Sequence, residues 1–131
     1  MKPQVKLWLE DGDGRLTMSD FRAEMLRQVR SSGSLAFAAA AMGLSYRRAW
    51  GKLRELEQHL GYAVIHSTPG GSGGGSSRLT PEGELLLEQY TRFQADCRQA
   101  LAEAYARNFP ADAAPRSSGE GGTVAGPTVR V

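Results

Sequence analysis

Residues 34–61 read SLAFAAAAMGLSYRRAWGKLRELEQHLG, and this stretch decides the fold. Ser34 is a good N-cap for a short helix from Leu35 to Met42, almost all Ala, with Leu35, Phe37 and Met42 as its larger side chains. A segment apolar nearly all round is expected to be buried between neighbours. Gly43 ends it, and Leu44 and Ser45 form the turn into a further helix from Tyr46 to about Leu60. Ser45 is that helix's N-cap, and Gly61 ends it. Ala49, Leu53, Leu56 and Leu60 recur at 4–3–4 spacing and mark its core face, with Trp50 beside them. Arg47, Arg48, Lys52, Arg54 and Gln58 fall elsewhere on its surface. Two short helices joined by Gly43-Leu44-Ser45, the latter basic near its N-terminus, have the layout of a helix-turn-helix.

Upstream, residues 4–9 alternate Val5, Leu7 and Leu9 with Lys6 and Trp8, the pattern of a half-buried strand. Asp11-Gly12-Asp13-Gly14 reads as a tight turn and Arg15–Met18 as the return strand of a hairpin. The same run lacks the Glu that a calcium loop opening at Asp11 needs at its twelfth position. Ser19 then caps a helix from Asp20 to about Ser31, whose Phe21, Met25, Leu26 and Val29 make one apolar stripe, and Gly33 ends it.

Downstream, Ala63–His66 reads as a strand and Arg78-Leu79 as the start of its return, with TPGGSGGGSS between them. Thr80 and Pro81 are an N-cap followed by Pro at the first helical position, and no breaker follows Gly83 until Pro110. A helix over 81–109 would be a rod of roughly 42 Å, longer than so small a domain needs. Leu86, Tyr90, Phe93, Cys97, Ala100 and Ala104 recur at 4–3–4–3–4, with Leu101 beside them. That heptad seam, Leu101 included, points to dimerisation. Residues 110–131 are rich in Pro, Gly, Ser, Thr and Ala and read as a disordered tail. The expected organisation is therefore a domain over 1–80, a dimerisation helix over 81–109 and a tail over 110–131.

The whole chain has 131 residues and a net charge of only +2. Residues 31–81 hold five basic and two acidic side chains, whereas 82–109 hold three basic and five acidic ones. A basic middle joined to an acidic assembly element fits a nucleic-acid-binding module. One Cys excludes an intrachain disulfide framework and a Cys-based zinc site. No apolar run approaches the ~18 residues of a membrane span, and the N-terminus does not have the form of a signal peptide. A cytoplasmic protein that does not act on membranes is the expectation.

The chemistry concentrates on the helix after Ser45. A helix N-terminus offers unpaired amides and partial positive charge to phosphates. Ser45, Tyr46, Arg47 and Arg48 sit where the tip of such a helix meets base edges in a major groove, and Lys52 lies one turn beyond Arg48. Gly51 costs about 1 kcal/mol in mid-helix relative to Ala, a cost that close approach of DNA or of a neighbouring helix could offset. Arg54 completes the basic set. Helices followed by strand, Gly-rich loop and strand form a winged helix, with the wing over 68–77. Gly73 and Gly74 let backbone lie near phosphates, and Ser76 and Arg78 stand at the wing's base. No Gly-Lys-Ser/Thr follows the Gly run, so it is not a nucleotide P-loop.

SGSLAFAAAAMGLSYRRAWGKLRELEQ (32–58) followed by TPGGSGGGSSRLTPEGELLLEQYTRF (68–93) resembles the N-terminal DNA-binding domain of ModE-type molybdenum-responsive regulators, relatives of LysR-type winged helices. LSYRRAW (44–50), GGSGGG (70–75) and RLTPEGE (78–84) are its most specific pieces. The resemblance covers about residues 4–109. It implies a mainly α winged helix-turn-helix with an N-terminal β-hairpin, a homodimer through the last helix, and double-stranded operator DNA as partner. Family wings usually carry a Lys inside the Gly run, where this chain has Ser72, and Arg78 is the expected substitute. Full-length family members continue into a molybdate-binding domain. Nothing in 110–131 could enclose an oxyanion, so no small-molecule site is evident in this chain, and no cofactor or metal is expected.

His59 and His66 are seven apart on different elements and have no carboxylate or Cys at ligand spacing. No arrangement of nucleophile and base, or of paired carboxylates, marks an enzyme. The competing class is a protein-interaction module that heterodimerises with, or modulates, a full-length regulator.

Overall fold

In the computed structural model, residues 1–68 and 75–113 are described. The expected wing residues Gly73 and Gly74, Ser72 and the tail beyond 113 lie outside them.

Trp8–Glu10 (β1) pairs antiparallel with Leu16–Ser19 (β2). Asp11 makes the turn, its carboxylate accepting from the amides of Asp13 at 2.8 Å and Arg15 at 3.0 Å. Those bonds, led by the one from Arg15, hold its pKa below the ordinary carboxylate value despite some desolvation. The hairpin is shorter than the alternation predicts, and β1 is exposed on every residue. Val5 and Leu9 therefore do not form a buried face. A two-stranded ribbon is anchored through one strand, and here that strand is β2, whose Met18 is buried.

Asp20–Ser32 (α1) begins at Ser19, whose side chain accepts from the Arg22 amide, and ends at Gly33 in the left-handed conformation. Met25, Leu26 and Val29 are buried as the stripe requires, but Phe21 is 41% exposed. Leu35–Ala41 (α2) starts at Ser34 and buries only Leu35, Ala38 and Ala39. The expectation that this helix is enclosed on all sides fails. α2 has substantial neighbours only in α1 and in the helix that follows, so Ala36, Phe37, Ala40 and Ala41 face outward.

Tyr46–Leu60 (α3) is capped by Ser45 and ends at Gly61 with φ 82°. Ala49, Leu53 and Leu56 are buried, while Leu60 and Trp50 pack at the edge of the core. His59 Nδ1 lies 2.6 Å from the Leu16 carbonyl, so that nitrogen carries the proton and ties the end of α3 to the hairpin.

Ile65–Thr68 (β3) and Ser76–Leu79 (β4) pair in register, with Ile65 opposite Leu79 and His66 opposite Arg78. Pro81–Asn108 (α4) follows at once. The Thr80 amide donates to the Val64 carbonyl at 2.9 Å, and its hydroxyl donates to the Ala63 carbonyl at 2.8 Å. Gly83 lies directly against this strand: a Cβ there would collide with the Val64 carbonyl oxygen and sit 3.1 Å from Val64 Cα. Gly83 is therefore a site of close backbone approach, not merely a weak point in the first turn.

The buried line of α4 runs through Gly83, Leu87, Tyr90 and Gln94 and continues through the half-buried Cys97, Leu101 and Ala104. This is a heptad seam shifted by one residue from the predicted one at two positions, with Leu87 and Gln94 in place of Leu86 and Phe93, and of the predicted Ala100 and Leu101 it is Leu101 that lies on it. Tyr90, expected at a dimer interface, is 2% exposed and belongs to the interior of its own chain. Its hydroxyl lies 2.8 Å from Asp20 Oδ1 and 3.0 Å from the Leu7 carbonyl, which share its one proton. Residues 1–7 run along α4, since Tyr105 at the far end donates to the Met1 carbonyl at 2.9 Å. Six extended residues span about 20 Å, matching the roughly 22 Å of helix between the two tyrosines. Pro110–Ala113 forms a further short helix (α5), so these four residues, read from sequence as tail, are helical.

Candidate nucleic-acid interface

Plotted at 100° per residue, the core side of α3 is Ala49, Leu53, Leu56 and Leu60. The opposite, outward stripe is Arg47, Gly51, Arg54 and Gln58, with Arg48 and Glu55 along one border, while Tyr46 is exposed at the helix start nearer the core side. Ser45, Tyr46, Arg47, Arg48, Gly51 and Arg54 are all exposed. The Ser45 hydroxyl accepts from the Arg48 amide at 3.1 Å and keeps its own proton for a further acceptor. Tyr46 meets Trp50 edge-on with centroids 6.3 Å apart, which holds the phenol at the front of the helix.

Nothing lies within 4 Å of a Cβ built at Gly51. A neighbouring helix of the same chain therefore does not explain this glycine. It leaves a notch in the middle of the outward stripe, between Arg47 and Arg54. Lys52 differs from the other cations. It is half-buried, and its ammonium sits 5.2 Å from the centre of the Phe21 ring. This cation–π contact gives the exposed Phe21 its role and turns Lys52 toward α1, to the flank of the stripe.

The charge pattern is asymmetric. On α1 and α4 three arginines are engaged, Arg27 with Glu24, Thr91 and Gln94, Arg30 with Glu84, and Arg92 with Glu88, while Arg98 and Arg107 of α4 are exposed and make no ion pair among the described residues. Arg22 is buried and donates to the Leu16 carbonyl at 2.7 Å. Arg47, Arg48, Arg54 and Arg78 make no ion pair among the described residues. Of the two acids of α3, Glu57 is turned to backbone, whereas Glu55 is exposed and makes no ion pair among the described residues. Glu57 accepts from the backbone amides of Val64 at 2.8 Å and Ile65 at 3.4 Å. Glu55 is among the charges acting on the buried Arg22. Glu57 thus fixes the base of the second hairpin against α3. Its role had no local signal in sequence, because its partners are backbone amides brought in by the turn after Gly61.

Ser76 and Arg78 are exposed on β4 and alternate with the buried Ser77 and Leu79. The Ser77 amide donates to the Gly33 carbonyl at 2.8 Å, which anchors β4 to the turn before α2. The second hairpin is in this way tied to α3 through Glu57 and to the α1–α2 turn through Gly33. Among the predicted seam residues of α4, Phe93 is exposed, Leu86, Cys97, Leu101 and Ala104 are half-buried, and Ala100 is exposed. Leu85, not singled out from sequence, is 52% exposed. Among the described residues, no helix is long and apolar enough to cross a membrane.

Fold and site together define a winged helix-turn-helix of the kind in which one short helix supports an exposed, basic partner. Residues 22–84 match the bacterial regulatory helix-turn-helix protein, lysR family, and the chain carries a LysR-type helix-turn-helix domain. It is homologous over its N-terminal part to ModE-type regulators. It is 35% identical over 81 residues to the molybdenum-pterin-binding protein MopB of Rhodobacter capsulatus, a match covering 62% of this chain and 30% of MopB. It is 33% identical over 69 residues to the DNA-binding transcriptional dual regulator ModE of Escherichia coli (strain K12), covering 53% of this chain and 26% of ModE. The chain thus matches under a third of the length of either relative. Among solved structures, the CbnR DNA-binding domain from a DNA complex shares the fold with a TM-score of 0.54 and 21% identity, over 70% of this chain and 99% of that one.

Proposed function

We propose that this protein is a sequence-specific DNA-binding transcriptional regulator that acts as a homodimer on a pseudo-palindromic operator, with molybdenum-related genes as the candidate targets. The observation that carries this reading is the outward stripe of α3. Its cations have no internal partner, and a notch at Gly51 lets a duplex edge approach the helix backbone. Ser45, Tyr46, Arg47 and Arg48 would meet base edges or flanking phosphates, and Arg54 and Lys52 would sit along the groove. Ser76 and Arg78 would follow the neighbouring backbone. The similarity to ModE and the LysR-type match support a DNA partner.

Two copies are needed to read two half-sites one helical turn apart, about 34–36 Å. Leu85 and Phe93, with the half-buried Leu86, would supply apolar surface on α4 for that pairing, while Cys97, Leu101 and Ala104 lie along the inward line and would contribute only their exposed edges. Tyr90 is excluded from it by its internal bonds.

A gel shift against genomic fragments, with and without competitor DNA, tests the proposal. The expected result is a specific shift that weakens steeply with salt, because cation–phosphate contacts release counterions. No shift at low salt from a folded protein would overturn it. Analytical ultracentrifugation with and without DNA tests the dimer, and a monomer bound at saturating DNA would refute that part.

A further inference from the structure

Phe37 is 60% exposed, the most exposed aromatic side chain among the described residues. It stands on α2 with Ala36, Ala40 and Ala41, which are also exposed. At 100° per residue these four share one side of the helix, opposite the buried Leu35, Ala38 and Ala39. The strip carries no charge and no polar side chain. It is rigidly joined to α3, since the Gly43 amide donates to the Ala40 carbonyl at 3.1 Å and the Leu44 amide to the Ala39 carbonyl at 2.8 Å. Ser34 also fixes the start of the helix by accepting from the Phe37 amide at 3.0 Å.

Exposing this face has a hydrophobic cost, and nothing in the described chain covers it. One aromatic ring and three methyl groups fall far short of the ~800 Å² that each partner buries in a stable protein interface. The strip is instead the size of a single contact within a larger interface. The neighbouring surface on the same rigid unit is the unpaired Arg47–Arg48 tip, which attracts a polyanion. In a helix-turn-helix the first helix crosses the duplex backbone while its partner enters the groove. The groups a duplex offers an uncharged side chain there are thymine methyls and deoxyribose C–H edges.

We propose that the Ala36–Phe37–Ala40–Ala41 face of α2 is an additional DNA contact, with Phe37 packing against the apolar edge of the duplex beside the groove that α3 occupies. The inference rests on the DNA-binding reading and adds to it a contact whose strength does not depend on salt. α2 holds the uncharged aromatic contact, and α3 holds the charge.

The test compares wild type, Phe37→Ala and Arg47→Ala on a fragment recovered by the gel shift, across a salt series. Phe37→Ala is expected to weaken binding about tenfold at every salt concentration and to leave the slope of log affinity against log salt unchanged. Arg47→Ala is expected to reduce that slope by about 0.9 if the guanidinium meets a phosphate. Replacing operator thymines by deoxyuridine separates the two edges. If Phe37 touches a methyl, one such replacement weakens wild type but not Phe37→Ala. If it touches sugar, none does so selectively. A Phe37→Ala protein that melts like wild type and binds the fragment equally well overturns the proposal. So does one that loses capture of a protein partner but not of DNA. Failure of wild type itself to shift any fragment would instead sink the DNA reading.

Discussion

The outward face of α3 and the seam between α1 and α4 are made of similar residues and treat them in opposite ways. Both contain arginines and a glycine at a position where a helix would prefer Ala. At the seam, Asp20 accepts from Tyr90 at 2.8 Å and from Gln94 at 2.7 Å, and Gln94 in turn accepts from Arg27 at 2.7 Å. Gly83 lies against the backbone of Val64. On α3 the arginines reach no acid and Gly51 faces open space. A polar or glycine residue satisfied inside the chain is explained by folding. Unpaired cations also occur singly on α4, at Arg98 and Arg107, so what sets α3 apart is that Arg47, Arg48 and Arg54 gather on one helix around the open Gly51.

The strongest way to break this contrast is to place Ala at each glycine. Gly83→Ala forces a methyl into backbone that cannot yield, and should cost about 3 kcal/mol of stability in urea denaturation. A loss below about 1 kcal/mol would show that the first turn of α4 can shift away from Val64. Next come the arginines. Arg47→Ala or Arg48→Ala should lower affinity for specific DNA by about 1–3 kcal/mol where the residue reaches a guanine edge, with an unchanged melting temperature. Arg92→Ala on α4 should alter neither, since its exposed pair with Glu88 contributes little. Equal losses from Arg92 and Arg47 would erase the distinction between the two regions.

Asp20 sharpens the comparison through pH. Burial alone would raise its pKa, but the hydrogen bonds from Gln94 and Tyr90 outweigh that and hold it below the ordinary value. The stabilisation this provides is fully present above the unfolded pKa of about 3.9 and is lost as pH falls through the lower folded value. Asp20→Asn should therefore cost about 1 kcal/mol at pH 7, a gap that stays constant down to about pH 5 and narrows in more acidic solution. A gap that widens on acidification would contradict the network. The smallest effect is expected at Gly51. Gly51→Ala should stabilise the fold by up to about 1 kcal/mol, because nothing lies near the added methyl, while weakening DNA binding. Stabilisation without any change in binding would remove the notch from the interface.

Much of the fold is legible in the linear chain because its punctuation is local. Ser19, Ser34, Ser45 and Thr80 each cap the helix they precede, and Gly33 and Gly61 end α1 and α3 in the left-handed region. The core face of α3 follows directly from 4–3–4 spacing. α4 was harder to read. Two heptad lines one residue apart are both apolar enough, and choosing between them requires knowing that Tyr90 and Gln94 meet Asp20 some seventy positions away. The outward set of the candidate site was legible for Arg47, Arg48, Gly51 and Arg54. The flanking position of Lys52 was not, because it depends on a ring supplied by α1.

From sequence alone come the helix boundaries, the turn between α2 and α3, and the cluster of cations at the start of α3. These depend on groups within a few residues of one another, so the order of residues specifies them. Which arginines remain unpaired, which line of α4 faces inward, and that Phe37 stands uncovered depend on where distant segments dock. Only the three-dimensional packing assigns those partners, since hydrogen bonds and buried contacts between remote elements leave no periodic trace along the chain.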